Sequence, residues 1–204
     1  MKGQKIMNNQ KISSLLSVFI ILLLANITVH GQFTAEMHFK TSGKERVFQI
    51  YSDGSNYRYE FNEDGQEGIV IVPEGADHIF VLMPQQKMAI KSSASSEMSM
   101  STDPVKQYDY WLNDESTEKI VGEENVNGID CIKKELWNIQ KDEYGEVNQH
   151  LFTVWYSKEY NFPVKMENYI DGSGSSGMEL TNIKPWEPNA DSFKVPGDYK
   201  TMEM

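Results

Sequence analysis

The stretch that decides the fold reads Phe33-Thr34-Ala35-Glu36-Met37-His38-Phe39-Lys40. Apolar and polar residues alternate strictly along it. Successive side chains of a β-strand point to opposite faces of the sheet, so this alternation predicts a strand with one buried face. The buried face is expected to carry Phe33, Ala35, Met37 and Phe39.

Five similar runs follow within about 60 residues. They span residues 46–51, 57–61, 68–72, 78–83 and 87–90. Turn signals such as Ser42-Gly43, Asp53-Gly54 and Asp64-Gly65 separate the runs, which predicts an antiparallel meander of six strands. Residues 69–72 and 79–83 are apolar on both faces, so we expect a helix or loop to cover their second face.

One helix is predicted in the middle of the chain. A serine-rich segment, residues 92–102, is expected to be a loop. Asp103-Pro104 then forms a helix start, and Val105, Tyr108 and Trp111 recur at helical spacing. We expect a helix over about 103–113 that covers the sheet, although an amphipathic helix can also bind a partner.

The second half of the chain returns to strands. We expect strands at 118–124, 126–138, 151–157, 164–170 and 178–183, with loops at 141–149 and 171–177 and an irregular tail at 185–200. The predicted fold class is mainly β: a curved antiparallel sheet, or incomplete β-barrel, of about ten strands with one covering helix. Residues 32–204 are expected to form a single domain.

The first 31 residues have the pattern of a secretory signal peptide. Three lysines precede an apolar run of eleven residues, 15–25, which is short of the roughly 20 that span a membrane. The sequence Val29-His30-Gly31 offers a cleavage site before Gln32. We therefore expect export to the periplasm or the medium, without a stable membrane span after cleavage; an uncleaved N-terminal anchor is the alternative.

Charge and cysteine content limit the function further. Residues 32–204 carry a net charge of −14, against −11 for the whole chain, which argues against a nucleic-acid partner and against charge-driven docking on anionic lipid. Cys131 is the only cysteine, so no intramolecular disulfide can form. A small buried strand residue is its expected role, with a reactive thiol or an intermolecular disulfide as alternatives.

The sequence contains no motif that indicates catalysis or metal binding. His38, His78 and His150 are far apart in the sequence and lack the local spacing of a zinc site. The glycine- and serine-rich residues 172–177 match neither a nucleophile elbow nor a phosphate-binding loop. We expect no catalytic residue, metal or cofactor, and therefore no enzyme. An exported hydrolase is a remote alternative, which would require a serine, a histidine and a carboxylate within hydrogen-bond reach.

Several stretches resemble a known superfamily. They are Asn56-Tyr57-Arg58-Tyr59-Glu60, Ile120-Val121-Gly122-Glu123 with Asn127-Gly128-Ile129-Asp130-Cys131, Trp155-Tyr156-Ser157, Pro163-Val164-Lys165-Met166-Glu167 and Phe193-Lys194-Val195-Pro196-Gly197-Asp198-Tyr199. With the leader and the helix-bearing insert, they resemble the periplasmic lipoprotein carriers, which are half-barrels. The chain is more narrowly similar to an uncharacterised family of exported bacterial domains. The resemblance implies a concave apolar face that is lidded by helices and binds acyl chains, and it implies no catalytic residue.

The functional hypothesis combines this resemblance with the large number of aromatic and methionine residues in the chain. Residues 32–204 contain four Trp, ten Tyr, eight Phe and nine Met. We expect a non-enzymatic binding protein that holds a lipid or a lipoprotein acyl chain; the alternative is an envelope structural or interaction protein whose core is filled by its own side chains. The candidate binding residues are expected on the hydrophobic concave face, and they are Phe33, Met37, Phe39, Tyr57, Tyr59, Phe61, Ile79, Val81, Met83, Trp111 and Trp155.

Overall fold

The structure is a computed structural model, which describes residues 31–41, 43–63, 65–96, 103–142, 145–170, 172 and 176–204. The predicted signal peptide falls on residues that, apart from Gly31, lie outside the described ranges. The same holds for residues 97–102 of the serine-rich segment and for residues 171 and 173–175 of the second predicted loop.

Twelve strands and one α-helix make up the described chain. The first six strands are β1 (Gln32–Thr41), β2 (Lys44–Asp53), β3 (Tyr57–Glu63), β4 (Gln66–Val72), β5 (His78–Met83) and β6 (Met88–Ser93). A single turn of 3-10 helix, Pro84–Gln86, links β5 to β6, and helix α1 spans Pro104–Trp111. The remaining strands are β7 (Ser116–Val126), β8 (Ile129–Asp142), β9 (Gly145–Ser157), β10 (Phe162–Asn168), β11 (Ser176–Pro185) and β12 (Lys200–Glu203).

All strands belong to one open, curved sheet. Their order is β12-β6-β5-β4-β3-β2-β1-β11-β10-β9-β8-β7, so the meander predicted for the first half is confirmed, and β1 joins it to the second half through β11. The sheet does not close into a barrel. The predicted fold class is confirmed, with twelve strands where about ten were expected.

The additional strand β12 comes from the segment predicted to be an irregular tail. It pairs with β6 in parallel, whereas β6 and β5 pair antiparallel. The segment before it crosses the convex face of the sheet, where Phe193, Val195 and Tyr199 pack against a buried cluster formed by Ile71, Leu82 and Ala89. We call residues 186–199 the strap. The strap is the cover expected for the second apolar face of β4 and β5.

The boundaries of several other elements differ from the prediction. The predicted loop 141–149 is wrong for its described residues, because β8 continues to Asp142 and β9 begins at Gly145. Residues 143 and 144 lie outside the described ranges. The predicted helix is confirmed but ends at Trp111. Leu112 already leaves helical geometry, and its backbone N–H closes the last turn on the Tyr108 carbonyl.

Candidate functional site

The concave face of the sheet is continuous from β5 across β1 to β8. The strand register places Met37 beside Phe48 on one side and Leu180 on the other, and it places Met166 beside both Met178 and Val154. All of these side chains are buried. The burial of alternate residues along β1 confirms the face predicted for Phe33, Ala35, Met37 and Phe39.

Helix α1 lies across this face and is attached to both halves of the sheet. Asp103 caps the helix by accepting hydrogen bonds from the backbone N–H groups of Val105 and Lys106. The same carboxylate accepts a 2.8 Å hydrogen bond from the Tyr57 hydroxyl on β3. At the other half of the sheet, the Asn168 side-chain amide of β10 donates to the Gln107 carbonyl oxygen at 2.9 Å. The helix therefore works as a lid over the concave face.

The far end of α1 is tied to β7 and β9. The Tyr108 ring meets Phe152 edge-on, with ring centroids 5.6 Å apart, and the Tyr108 hydroxyl donates to Glu118. Glu118 also accepts a hydrogen bond from the Lys134 ammonium group at 2.9 Å. These contacts hold the lid over the second half of the sheet by both packing and charge.

A cavity of about 290 Å³ remains between α1 and the strand ends of β1, β10 and β11. Its apolar lining comes from Phe39, Pro104, Phe152, Met166 and Ile170. Its polar lining comes from Thr41, Gln107, Asn168, Ser176 and Gly177. The cavity thus combines an apolar floor with hydrogen-bonding groups, which is the usual composition of a small-molecule site.

Burial sets the electrostatics under the lid. Desolvation raises the pKa of the Asp103 carboxyl to about 6, against the opposing effect of its hydrogen bonds. Burial and the adjacent Asp103 charge raise the pKa of the Tyr57 hydroxyl, and burial together with Glu118 raises that of Tyr108. Burial also raises the pKa of Asp109, although the Lys106 ammonium group lies 3.6 Å away.

Most of the eleven candidate binding residues lie on the concave face. Buried there are Phe33, Met37, Phe39, Tyr57, Tyr59 and Ile79, and half-buried against the same core are Phe61, Val81 and Trp111. Met83 is half-buried and shares the face of Val81 by strand alternation. Of the eleven, only Phe39 lines the cavity.

Trp155 lies on the opposite, convex face. It pairs with Lys165 and Lys133, whereas its neighbour Val154 pairs with Met166. Its ring is covered by the ammonium groups of Lys133 and Lys165 at 4.8 and 4.5 Å, and its indole N–H donates to Glu124. The expectation that Trp155 belongs to the concave face is therefore wrong.

Sequence reasoning missed most of the residues that line the cavity. Phe152 and Met166 lie in strands that were predicted, but residues 151–155 are buried on both faces, so alternation could not assign a side. Gln107 and Asn168 are 61 residues apart and meet only in the fold. The helical spacing that located α1 could have indicated Gln107 as a residue near the sheet.

His38 belongs to a local hydrogen-bond network. The His38 ring contacts Glu45 at 2.9 Å through Nδ1 and Thr181 at 3.1 Å through Nε2. All three residues line a polar groove of about 390 Å³. This hydroxyl–imidazole–carboxylate chain joins β11, β1 and β2, and its hydroxyl belongs to a threonine, whereas the remote hydrolase alternative requires a serine. Among the described residues, no group of His, Cys, Asp and Glu side chains is arranged to hold a metal ion.

Cys131 is buried on β8, as predicted. Burial raises the pKa of its thiol to about 11, so the thiol stays protonated at neutral pH.

Comparison with known proteins gives matches to solved structures. No protein-family model matches the chain, and no curated protein matches it. Within the described ranges, no helix is long and apolar enough to cross a membrane.

Three of the matched structures illustrate the likeness. An uncharacterised conserved protein from Thermus thermophilus has a TM-score of 0.51 at 12% identity, with 92% of this chain and 99% of that chain covered. A LolA superfamily protein from Nitrosomonas europaea has a TM-score of 0.40 at 14% identity, covering 82% and 91%. The lipoprotein LppX from Mycobacterium tuberculosis has a TM-score of 0.32 at 15% identity, covering 87% and 97%. The chain therefore shares the fold of the Thermus protein.

Proposed function

We propose that the chain is an exported, non-enzymatic binding protein that holds a hydrophobic guest, a lipid or a lipoprotein acyl chain, on the concave face of its sheet beneath α1. The observation that carries this proposal is the cavity of about 290 Å³ between α1 and the sheet. The carrier-like fold agrees with it, but the proposal depends on the cavity and not on the fold.

The lining of the cavity fits a guest with an apolar tail and a polar end. Phe39, Phe152 and Met166 would contact the tail, while Gln107 and Asn168 would offer hydrogen bonds to an ester or a headgroup. The volume is near the lower end of the roughly 300–1000 Å³ that ligand pockets span. We therefore expect a guest that inserts a single acyl chain, or the end of one.

An envelope interaction protein without a small ligand is the second candidate. It is favoured by the complete burial of Phe33, Met37 and Tyr59, which fill the centre of the concave face with the chain's own side chains. The two candidates differ in one respect that can be measured, namely whether the region under α1 takes up a guest.

Lipid analysis of the purified protein separates the two candidates. The protein is purified from a producing bacterium without detergent, examined by native mass spectrometry and then extracted with organic solvent. The proposal predicts a mass added to the folded protein and an acyl-containing molecule in the extract, close to one per chain. Recovery of the bare mass, with no acyl compound above the level of a buffer blank, would contradict the proposal and leave the interaction protein.

A further inference from the structure

Strand β7 lies at one end of the sheet and has an open outer edge. It is eleven residues long, and within the described part of the chain only β8 pairs with it. Residues 119–125 are all exposed, including Ile120 at 68% and Val121 at 46%. A long edge strand with exposed β-branched residues is a template for pairing with another strand.

The two faces of β7 follow from its pairing with β8. Glu118 and Ile120 pair with Leu136 and Lys134, whose side chains belong to the concave face. The register shifts by one residue between Ile120 and Gly122, so that Glu123 also lies on the concave face. By the same alternation, Lys119 and Glu124 share the convex face.

One antiparallel register makes this edge complementary to itself. If Val121 lies opposite Gly122 of a second β7, then Lys119 lies opposite Glu124 on the convex face, and Ile120 lies opposite Glu123 on the concave face. Glu118 then meets Asn125, so no two like charges face each other directly. Gly122 leaves room for the partner's Val121, because a Cβ atom added there would touch nothing within 4 Å.

We propose that β7 pairs in this register with β7 of a second copy of the chain, which would extend the sheet across a two-fold axis. Glu124 remains available to Lys119 of the second copy. Its carboxylate is held by Trp155 and Lys133 on the convex face, but half of its side chain stays exposed. A single pair of strands buries less than the roughly 1,000 Å² of a stable interface, so the dimer is a weak one.

Two substitutions on β7 test the register, each with a matched control elsewhere. Sedimentation equilibrium from about 10 µM to about 1 mM covers the range of a weak dimer. Lys119→Glu would place like charges at two symmetric positions, so we expect about tenfold weaker dimerisation. Ile120→Lys would add a charge opposite Glu123, so we expect tighter dimerisation.

The controls are substitutions at exposed positions of β2 that change the net charge by the same amounts as the two β7 substitutions. They are Lys44→Glu, and Val47→Lys at a β-branched residue that is 52% exposed. We expect each to change the dimerisation constant by less than about twofold. Circular dichroism confirms that all four variants are folded.

Three outcomes would overturn the proposal. The first is that the protein stays monomeric throughout the concentration range. This holds also if the monomer binds an unrelated extended chain along β7. The second is a dimer that Lys119→Glu weakens no more than Lys44→Glu does. The third is a dimer that Ile120→Lys weakens, which would indicate unspecific apolar association.

Discussion

Asp103 joins the lid to the sheet through one buried carboxylate. The residue is 1% exposed and accepts hydrogen bonds from Tyr57 on β3 and from two backbone amides of α1. The titratable groups that act on this contact are Tyr57 and Tyr59 from β3, and Lys106 and Asp109 from α1. Desolvation outweighs the hydrogen bonds and raises the pKa of Asp103 to about 6, above its ordinary value of 3.8.

This raised pKa makes the stability of the lid contact depend on pH. Between pH about 4 and pH about 6 the folded protein binds more protons at Asp103 than the unfolded chain does. The contribution of this group to stability is therefore fully present below about pH 4 and is lost as the pH rises through about 6.

Asp103→Asn removes this pH dependence while keeping a cap that accepts hydrogen bonds. Relative to the unsubstituted protein, the variant should gain about 2–3 kcal/mol in free energy of unfolding between pH 4 and pH 7. Urea unfolding at both pH values measures the gain, with Asp114→Asn in the exposed turn after α1 as the control. An equal difference from the unsubstituted protein at both pH values would show that Asp103 does not titrate in this window.

At the scale of residues, the sequence predicts a side chain's face only where the pattern is one-sided. Phe33, Ala35, Met37 and Phe39 were assigned correctly because polar residues separate them. Trp155 was assigned to the wrong face because its strand is apolar on both sides. The Tyr57–Asp103 hydrogen bond joins residues 46 positions apart, and no local pattern encodes such a pair.

At the scale of elements, α1 and the strap cover opposite faces of the sheet. Helix α1 was predictable, because an acidic cap, a proline and a helical repeat occur together at its start. The strap was not, since Phe193, Val195 and Tyr199 follow no period and their partners on β4 and β5 lie more than 100 residues earlier. The ends of β8 and β9 were missed for a related reason, as residues 141–149 are mostly polar and show no apolar alternation.

Phe193→Ala tests the role of the strap. Phe193 packs against the cluster around Leu82 and meets Trp186 edge-on at 5.9 Å, so its truncation should cost about 2 kcal/mol in free energy of unfolding. We also expect faster amide hydrogen exchange in β12, because the strap carries the chain to that strand. Tyr110→Ala on the exposed side of α1 is the control. Unchanged exchange in β12 would mean that the pairing with β6 alone holds this edge.

Across the described part of the molecule, one α-helix covers a sheet of twelve strands. The fold class and the open form were predictable from the sequence. Turn signals separate the predicted strands from one another, and only one predicted helical segment lies between the two strand-rich halves of the chain. The cavity was not predictable. It lies between α1 and the ends of β1, β10 and β11, and its size depends on how closely Phe39, Phe152 and Met166 approach the helix.

We propose that the space under α1 takes up an acyl chain. The most direct measurement is the titration of the delipidated protein with a fluorescent fatty acid, using two tryptophan substitutions. Ile170→Trp enlarges a side chain that lines the cavity, and Val147→Trp adds the same side chain at an exposed position of β9. We expect saturable binding of one probe per chain, at least about tenfold weaker in Ile170→Trp and unchanged in Val147→Trp. Absence of saturable binding, or equal affinity in the two variants, would contradict it.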